Sequence, residues 1–530
     1  MNPCWDHVPY ITYENVTGTS HKRGAVVSTI STTSGQLKGA TIAVGDTKVE
    51  AFLGVPYAQH PTGSLRFAPP QPIEWDGEWD ATEWGPTVNQ EQYAKEMLAI
   101  VDNPLRELRH GNDSSLNLNI FSTDTAGSAP VLVYIHGGSF RQGSNSVGQW
   151  SGDRFARDGV VTVTINYRLG VEGSFSTEET SNNGLRDQIA ALQWVQDNIA
   201  SFGGDPNQVT VAGESAGAMS VGLLLTSPAA KGLFHQAILS SGAAGNSLSL
   251  DAGKAVTARF LEFLGRGTDP DAIAEATDEE ITEAAKQTQA YAQTPEAADE
   301  LHDAYLSSMV WQPTVDGDII PTKPIKALRE GHGHDVPVLI ATNEDEGSLF
   351  IVASGLAAQM NDELMGPVLA ALTGRPEIAA EIAEAARRNE DQPLGKVAEH
   401  AYDDWKFQVP LAEFIDARHT GNTQPTWRYQ FTWDTPIFEG ALGALHTLDL
   451  PFVFDTLDDE GAQRLAGKDA PQALADALHG AWVSFVKEGD PGWEPTKDAP
   501  GPTAIFNAGG RDIADSVGSD VRARDAKFRN

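Results

Sequence analysis

The chain has 530 residues, and 37 Lys+Arg against 73 Asp+Glu give a formal net charge of −36. No stretch of concentrated Lys/Arg interrupts that acidity, so nucleic acid and anionic membrane are excluded as natural partners, and no run of about 18 uncharged apolar residues exists to cross a bilayer. The length is ample for a large core, and the acid excess reads as a solvated surface or as adaptation to high salt. Cys4 is the single cysteine, which rules out an intramolecular disulfide and cysteine-based metal sites and fits a reducing compartment. Met1–Tyr10 (MNPCWDHVPY) carries Asp6 and His7 where a secretory signal needs an apolar run. The expectation is a cytoplasmic protein of unspecified oligomeric state.

In chain order, Gly35–Phe52 alternates short apolar stretches around Gly45-Asp46, a hairpin turn pair, and predicts an antiparallel edge. Buried-strand runs follow at Val131–Ile135, Val160–Ile165, Val209–Val211, Ala237–Leu239 and Val336–Ile340, separated by helix-length segments. That alternation predicts an α/β fold: a mostly parallel sheet with helices on both faces. Leu185–Ile199 sets Ile189, Leu192, Val195 and Ile199 on one helical face that should cover the sheet. Regions near 269–305 and 357–415 are rich in Ala, Glu and Asp and interrupt the strand rhythm. They read as helical caps inserted into a single domain spanning residues 1–530, with ordinary crossover helices as the alternative.

Gly213-Glu214-Ser215-Ala216-Gly217 follows a strand run and opens an Ala/Leu-rich helical stretch. A serine on so sharp a strand-to-helix turn needs glycines on both sides, and the free Ala216 N–H at the helix start favours developing negative charge. Upstream, Val131–Ile135 runs into His136-Gly137-Gly138-Ser139-Phe140, where an α/β-hydrolase builds the second wall of its oxyanion hole. The N–H groups of Gly138, Ser139 and Ala216 are the candidate donors, and His136 is expected to organise the loop.

A serine nucleophile needs a base oriented by a carboxylate, in the order Ser, acid, His. His400, His419, His446 and His479 lie far enough along the chain. His400 and His479 sit in helical patterns and His419 in a surface-type loop, so His446, in the glycine-bearing loop Gly440–Leu450, is the candidate base. For the acid, the strand run ends in Asn343-Glu344-Asp345-Glu346-Gly347, and spacing leaves three carboxylates in competition.

The chain resembles the type-B carboxylesterase family over nearly its whole length. Phe52–Ala58 (FLGVPYA), Leu65-Arg66-Phe67, Asn166–Gly170 (NYRLG), Gly184–Gln188 (GLRDQ), Phe202–Pro206 (FGGDP) and the GESAG box are similar to that family's signatures. The resemblance implies an α/β-hydrolase fold and the catalytic set Ser215, Glu346 and His446, with Glu346 singled out as the acid immediately before Gly347. It also implies that Ser241, before Gly242, supports the triad, with Glu214 beside the nucleophile. Family members commonly close an N-terminal loop with a disulfide, but Val88 and Ser115 stand at those positions, so the loop near Asn89–Asn112 is expected to be freer. No tryptophan lies between Trp84 and Trp150 to bind a quaternary ammonium, which disfavours choline esters.

The implied activity is hydrolysis of a small-molecule carboxylic ester through an acyl-enzyme, without metal or organic cofactor. Carbamate, amide or phthalate-diester hydrolysis would use the same residues. A non-catalytic adhesion role would need them idle.

Overall fold

The computed structural model describes residues 26–108, 113–301, 303–307, 309–373, 376–387, 390–420, 424–496 and 501–514. Cys4, the Met1–Tyr10 segment and the end of the Asn89–Asn112 loop fall outside them.

The strands are β1 (Val26–Ser31), β2 (Gln36–Val44), β3 (Thr47–Pro56), β4 (Glu78–Asp80), β5 (Asn117–Ser122), β6 (Ala129–Ile135), β7 (Val161–Ile165), β8 (Gly204–Glu214), β9 (Gln236–Ser240), β10 (Leu248–Ser249), β11 (Thr314–Val315), β12 (Val338–Asn343), β13 (Thr426–Phe431), β14 (Thr503–Asn507) and β15 (Gly510–Ala514). Among the described residues, thirteen of them form one sheet in the order β1-β2-β3-β5-β7-β6-β8-β9-β12-β13-β14-β15, with β4 beside β2. β10 and β11 pair separately. The run from β7 to β14 is parallel throughout, whereas β1, β2, β3, β5 and β7 pair antiparallel with one another.

The expected N-terminal hairpin is present, with Val44 opposite Thr47 across Gly45-Asp46. β5 and the antiparallel C-terminal hairpin β14–β15 were not anticipated. β12 starts at Val338, later than the run beginning at Val336, because Pro337 has no N–H to give the ladder.

The central strands are buried on both faces, as parallel strands covered by helices must be. Val131, Val133, Ile135, Val211, Leu239 and Ile340 face one apolar cluster, and the alternate residues Leu132, Tyr134, Ala212, Ile238, Leu339 and Ala341 face another. The helix predicted over 185–199 spans Asn183–Asn198 and lays Leu192 and Val195 on the first of these.

Two helical regions have apolar clusters of their own. Asp278–Tyr291, whose start is fixed by a reciprocal Thr277/Glu280 capping box, packs with Val256, Phe260 and Leu301. Asp362–Thr373, Ala379–Ala386 and Leu394–Asp403 enclose Leu369, Ile382 and Val397. No helix among the described residues is long and apolar enough to cross a membrane.

Two of the sequence signatures meet in the core. Arg168 and Asp187 form a fully buried ion pair at 2.7 Å, and Arg168 also donates to the carbonyls of Arg66 and Ala68. A buried guanidinium survives only with its donors spoken for, and here it ties three distant segments together.

Candidate active site

β8 ends at Glu214, Ser215 takes φ 55° and ψ −123°, and the helix Ala216–Thr226 begins at once. A positive φ on a non-glycine residue is strained and persists only when the surroundings enforce it. Here the backbone does so: Ser215 N donates to Ser240 O at 2.9 Å, and Met219 N to Ser215 O at 2.9 Å. The flanking glycines have no room for a side chain. An added Cβ on Gly213 would lie 2.3 Å from Gly217 C, and one on Gly217 would lie 2.0 Å from Ile135 O.

The loop after β6 packs directly on this turn. A Cβ on Gly137 would meet Glu214 Oε2 at 2.6 Å and Ser215 Cβ at 2.9 Å, and Gly138, at φ 110°, faces Gln142 O too closely for any side chain. Ser139 and Phe140 both adopt φ near 57°. His136 stacks on Tyr167 at 4.8 Å, and its Nδ1–H donates to Gly137 O at 2.8 Å while Tyr167 Oη donates to His136 O. Burial pushes its imidazole down to about 4, so it stays neutral and holds the loop. Gly137 thus packs on the nucleophile turn, with Gly138 and Ser139 next in the chain, and Ala216 N–H, in the first turn of its helix, has no intrahelical acceptor.

On the other side, β12 delivers the acid loop. Glu344 points to solvent, Asp345 is half-buried and Glu346 is wholly buried. The three competing carboxylates therefore part company. His446 Nδ1–H donates to Glu346 Oε2 at 2.6 Å, and Asn343 N–H donates to Glu346 Oε1 at 2.8 Å. Asp345 serves the neighbouring loop: its Oδ2 accepts from Ala444 N at 3.1 Å, its own N–H donates to Ala444 O at 3.1 Å, and Lys396 Nζ donates to its Oδ1 at 2.7 Å. Lys396 also reaches Glu399 at 2.6 Å, and Gly347 N–H donates to Asp403. A Cβ on Gly347 would lie 2.7 Å from Glu399 O, which explains the glycine after Glu346.

The other three candidate bases, His479, His400 and His419, sit away from the nucleophile turn in structural roles. His479 bridges Val453 O and Asp158 from a helix, and His400 bonds Gln392. His419 ends the Val409–Arg418 helix.

His446 Nε2 lies 3.2 Å from Glu214 Oε1, and Ser215 Oγ makes no hydrogen bond among the described residues. Burial lifts the Glu214 carboxyl to about 8. Burial alone would lower His446, but the charges of Glu214 and Glu346 outweigh it and lift the imidazole to about 9. The pair titrates together: a protonated Glu214 removes one of the charges that hold the imidazolium.

Ser241 follows β9 with φ 53°, and its buried Oγ has no hydrogen-bond partner among the described residues. The buried polar support lies elsewhere. Asp449 accepts from Ser240 Oγ at 2.8 Å and from Asn343 Nδ2 and Tyr429 Oη at 3.3 Å each, while Asn343 Nδ2 also donates to Leu445 O. Phe407 and Phe350 pack against the imidazole at 4.9 and 5.3 Å and lie 6.2 Å from each other, Phe407 carried there by a wider helical turn over Asp404–Gln408. Sequence reasoning missed Lys396, Asp403, Phe350 and Phe407. Only the Lys396/Glu399 spacing of three on one helix face left a trace.

The loop beginning at Asn89 lacks its disulfide but is tied by side chains. Gln90 Nε2 donates to Gly143 O and Gln90 Oε1 accepts from Gly143 N, both at 2.8 Å, and Asn103 joins them at 3.1 Å.

The carboxylesterase family profile matches residues 26–504. The para-nitrobenzyl esterase of Bacillus subtilis (strain 168) is 35% identical over 477 residues, covering 88% of this chain and 91% of that protein. The phenmedipham hydrolase of Pseudarthrobacter oxydans is 31% identical over 478 residues, covering 87% and 90%. A solved structure of a PNB esterase superposes with a TM-score of 0.78 at 32% identity, over 94% of this chain and 99% of that one. The sheet, the nucleophile turn and these likenesses agree: the chain belongs to the carboxylesterase family, carries its α/β-hydrolase fold and is a carboxylic ester hydrolase.

Proposed function

We propose that the protein is a serine esterase that cleaves small-molecule carboxylic esters through an acyl-enzyme, with Ser215 as nucleophile, His446 as base and Glu346 as acid. The observation that carries this reading is the buried Glu346–His446 bond at 2.6 Å, one residue from the strained Ser215 by way of Glu214. Glu346 accepts Nδ1–H, which fixes the tautomer and leaves Nε2 free to take the Ser215 proton once Ser215 Oγ turns toward it. Apo sites often hold this last bond slack.

Ser215 then attacks the carbonyl carbon. The N–H groups of Gly138, Ser139 and Ala216 receive the oxyanion, the imidazolium returns its proton to the leaving alcohol, and water repeats the sequence on the acyl-enzyme. Glu214 supports the cycle best in its neutral form, because a second carboxylate beside Nε2 would keep the base protonated. No step calls for a metal or organic cofactor.

The helical regions near 269–305 and 357–415 act as caps on one domain, and Phe407 brings the second against the base. Cytoplasmic residence fits the missing cysteine pair at Val88 and Ser115.

Hydrolysis of p-nitrophenyl esters from acetate to palmitate tests the reading, with Ser215→Ala expected to cost on the order of 10⁴–10⁶ in kcat and to abolish fluorophosphonate labelling. A Ser215→Ala protein that kept its activity would overturn it.

A further inference from the structure

A narrow cleft lies between Arg141, the segment at Asn89–Glu91 and the Asp278–Tyr291 helix. Most of its polar wall is occupied. Asn89 donates to Glu172 at 3.1 Å and accepts from Thr282, Gln90 is consumed by Gly143, and Glu91 pairs with Lys286 at 3.1 Å. The Arg141 guanidinium and the Gln289 amide line the same cleft and make no side-chain hydrogen bond or ion pair among the described residues.

In a chain with two acidic residues for each basic one, that is conspicuous: Arg66, Arg168 and Arg259 each hold a carboxylate. Arg141 is half-buried, its partial desolvation pulls the guanidinium pKa down, and the nearby charge of Glu91 is already engaged.

Arg141 is also close to the reacting centre. Its N–H donates to Gly138 O at 3.0 Å, closing the turn that carries Gly138 and Ser139. Three residues of chain span at most about 10 Å, and the turn brings the two ends nearer than that. The wall that carries Arg141 is therefore continuous in the chain with the loop that carries Gly138 and Ser139.

The geometry points to an anion subsite in which Arg141, helped by Gln289, binds a carboxylate carried by the ester substrate, while Trp311 and Ala285 line the path of the adjoining hydrocarbon. The substrate class is then an anionic ester, either a half-ester of a dicarboxylic acid or an ester whose alcohol part bears the carboxylate. The planar guanidinium fork matches a carboxylate with two parallel hydrogen bonds, and the amide adds a donor. The net charge of −36 repels such a substrate at long range, so any preference for it arises locally.

This inference rests on the esterase reading, and two pairs of substrates separate them. Mono-p-nitrophenyl glutarate against p-nitrophenyl butyrate places the carboxylate on the acyl half, and 3-carboxyphenyl butyrate against phenyl butyrate places it on the alcohol half. At about 0.15 M salt, one anionic ester is expected to exceed its neutral control by about tenfold in kcat/KM, mainly through KM. Arg141→Gln should remove that ratio and Arg141→Lys should keep part of it. A ratio at or below one for both pairs, or a ratio that survives Arg141→Gln, overturns the subsite. Failure to hydrolyse either neutral ester overturns the esterase reading instead, and the subsite is then judged by calorimetry. Free glutarate should bind the Ser215→Ala protein and lose that binding in Ser215→Ala/Arg141→Gln. Equal binding by both overturns it.

Discussion

On the nucleophile side of the site, backbone and missing side chains hold the geometry. Gly213, Gly217, Gly137 and Gly138 let β8, the following helix and the loop after β6 approach until a single Cβ would collide. On the acid–base side, side chains from separated segments do the same job: Asp345 joins the two loops, Lys396 joins Asp345 to Glu399, and Asp403 holds Gly347. The first arrangement is rigid and intolerant of any added atom. The second is an electrostatic network, so it should respond to charge and pH and yield by degrees.

The sharpest way to break this contrast is to add one methyl group to the nucleophile side. Gly217→Ala should destabilise the protein by about 1–3 kcal/mol and lower kcat by about a hundredfold, because the new Cβ must displace Ile135 O and shift the turn. Thermal denaturation and p-nitrophenyl butyrate kinetics check this, and a variant of native stability and rate would contradict the packing argument.

The matching change opposite is Lys396→Met. Lys396 is a third exposed, so the cost falls below that of a fully buried pair, about 1–2 kcal/mol, with roughly tenfold in kcat. The cost should grow with pH. Burial raises Glu399 to about 7, so its contribution to stability is present below the ordinary carboxylate value and is lost as pH rises through about 7. Without Lys396 that ionised carboxylate has no cation to face. Denaturant melts at pH 5 and pH 8.5 should differ more for Lys396→Met than for the parent.

Glu214→Gln separates the two sides where they meet. The substitution takes away one of the charges that lift His446, so the rising limb of kcat/KM against pH should move to lower pH. In stability the sign is the same for both groups: raised pKa values favour the fold at low pH, and that benefit fades for Glu214 as pH climbs through about 8 and for His446 through about 9. An unmoved or upward-moving limb would mean that Glu214 is not the charge felt by the base.

The smallest effect belongs to Ser241→Ala. Because Ser241 Oγ is buried and unpartnered, its removal should change stability by less than about 1 kcal/mol and kcat by less than about threefold. A larger loss would restore to Ser241 the triad-supporting part that the family resemblance implies.

The same division governs what could be read in advance. Gly213–Gly217, His136–Gly138 and the runs behind β6 to β9 were legible because each signal lies within a few consecutive residues: a glycine where no Cβ fits, or an apolar run that must be buried. Among Glu344, Asp345 and Glu346 spacing alone was mute, and the family pattern chose Glu346, the one whose side chain reaches His446. β5 escaped notice because Asn117–Ser122 mixes buried polar residues with apolar ones. Asn117 and Asn119 are buried only because Asn145, Thr164 and Pro86 satisfy them from other segments.

By itself the sequence determined the α/β alternation, the nucleophile turn and the glycine loop beside it, since local sterics and apolar patterning act over neighbours. Only the tertiary structure decided that Asp345 and Lys396 brace the acid and base loops, that Phe350 and Phe407 pack against the imidazole, and that the Arg141 side chain makes no hydrogen bond or ion pair among the described residues. Those are contacts between residues tens to hundreds of positions apart, and their energies depend on burial and distance, which no spacing along the chain records.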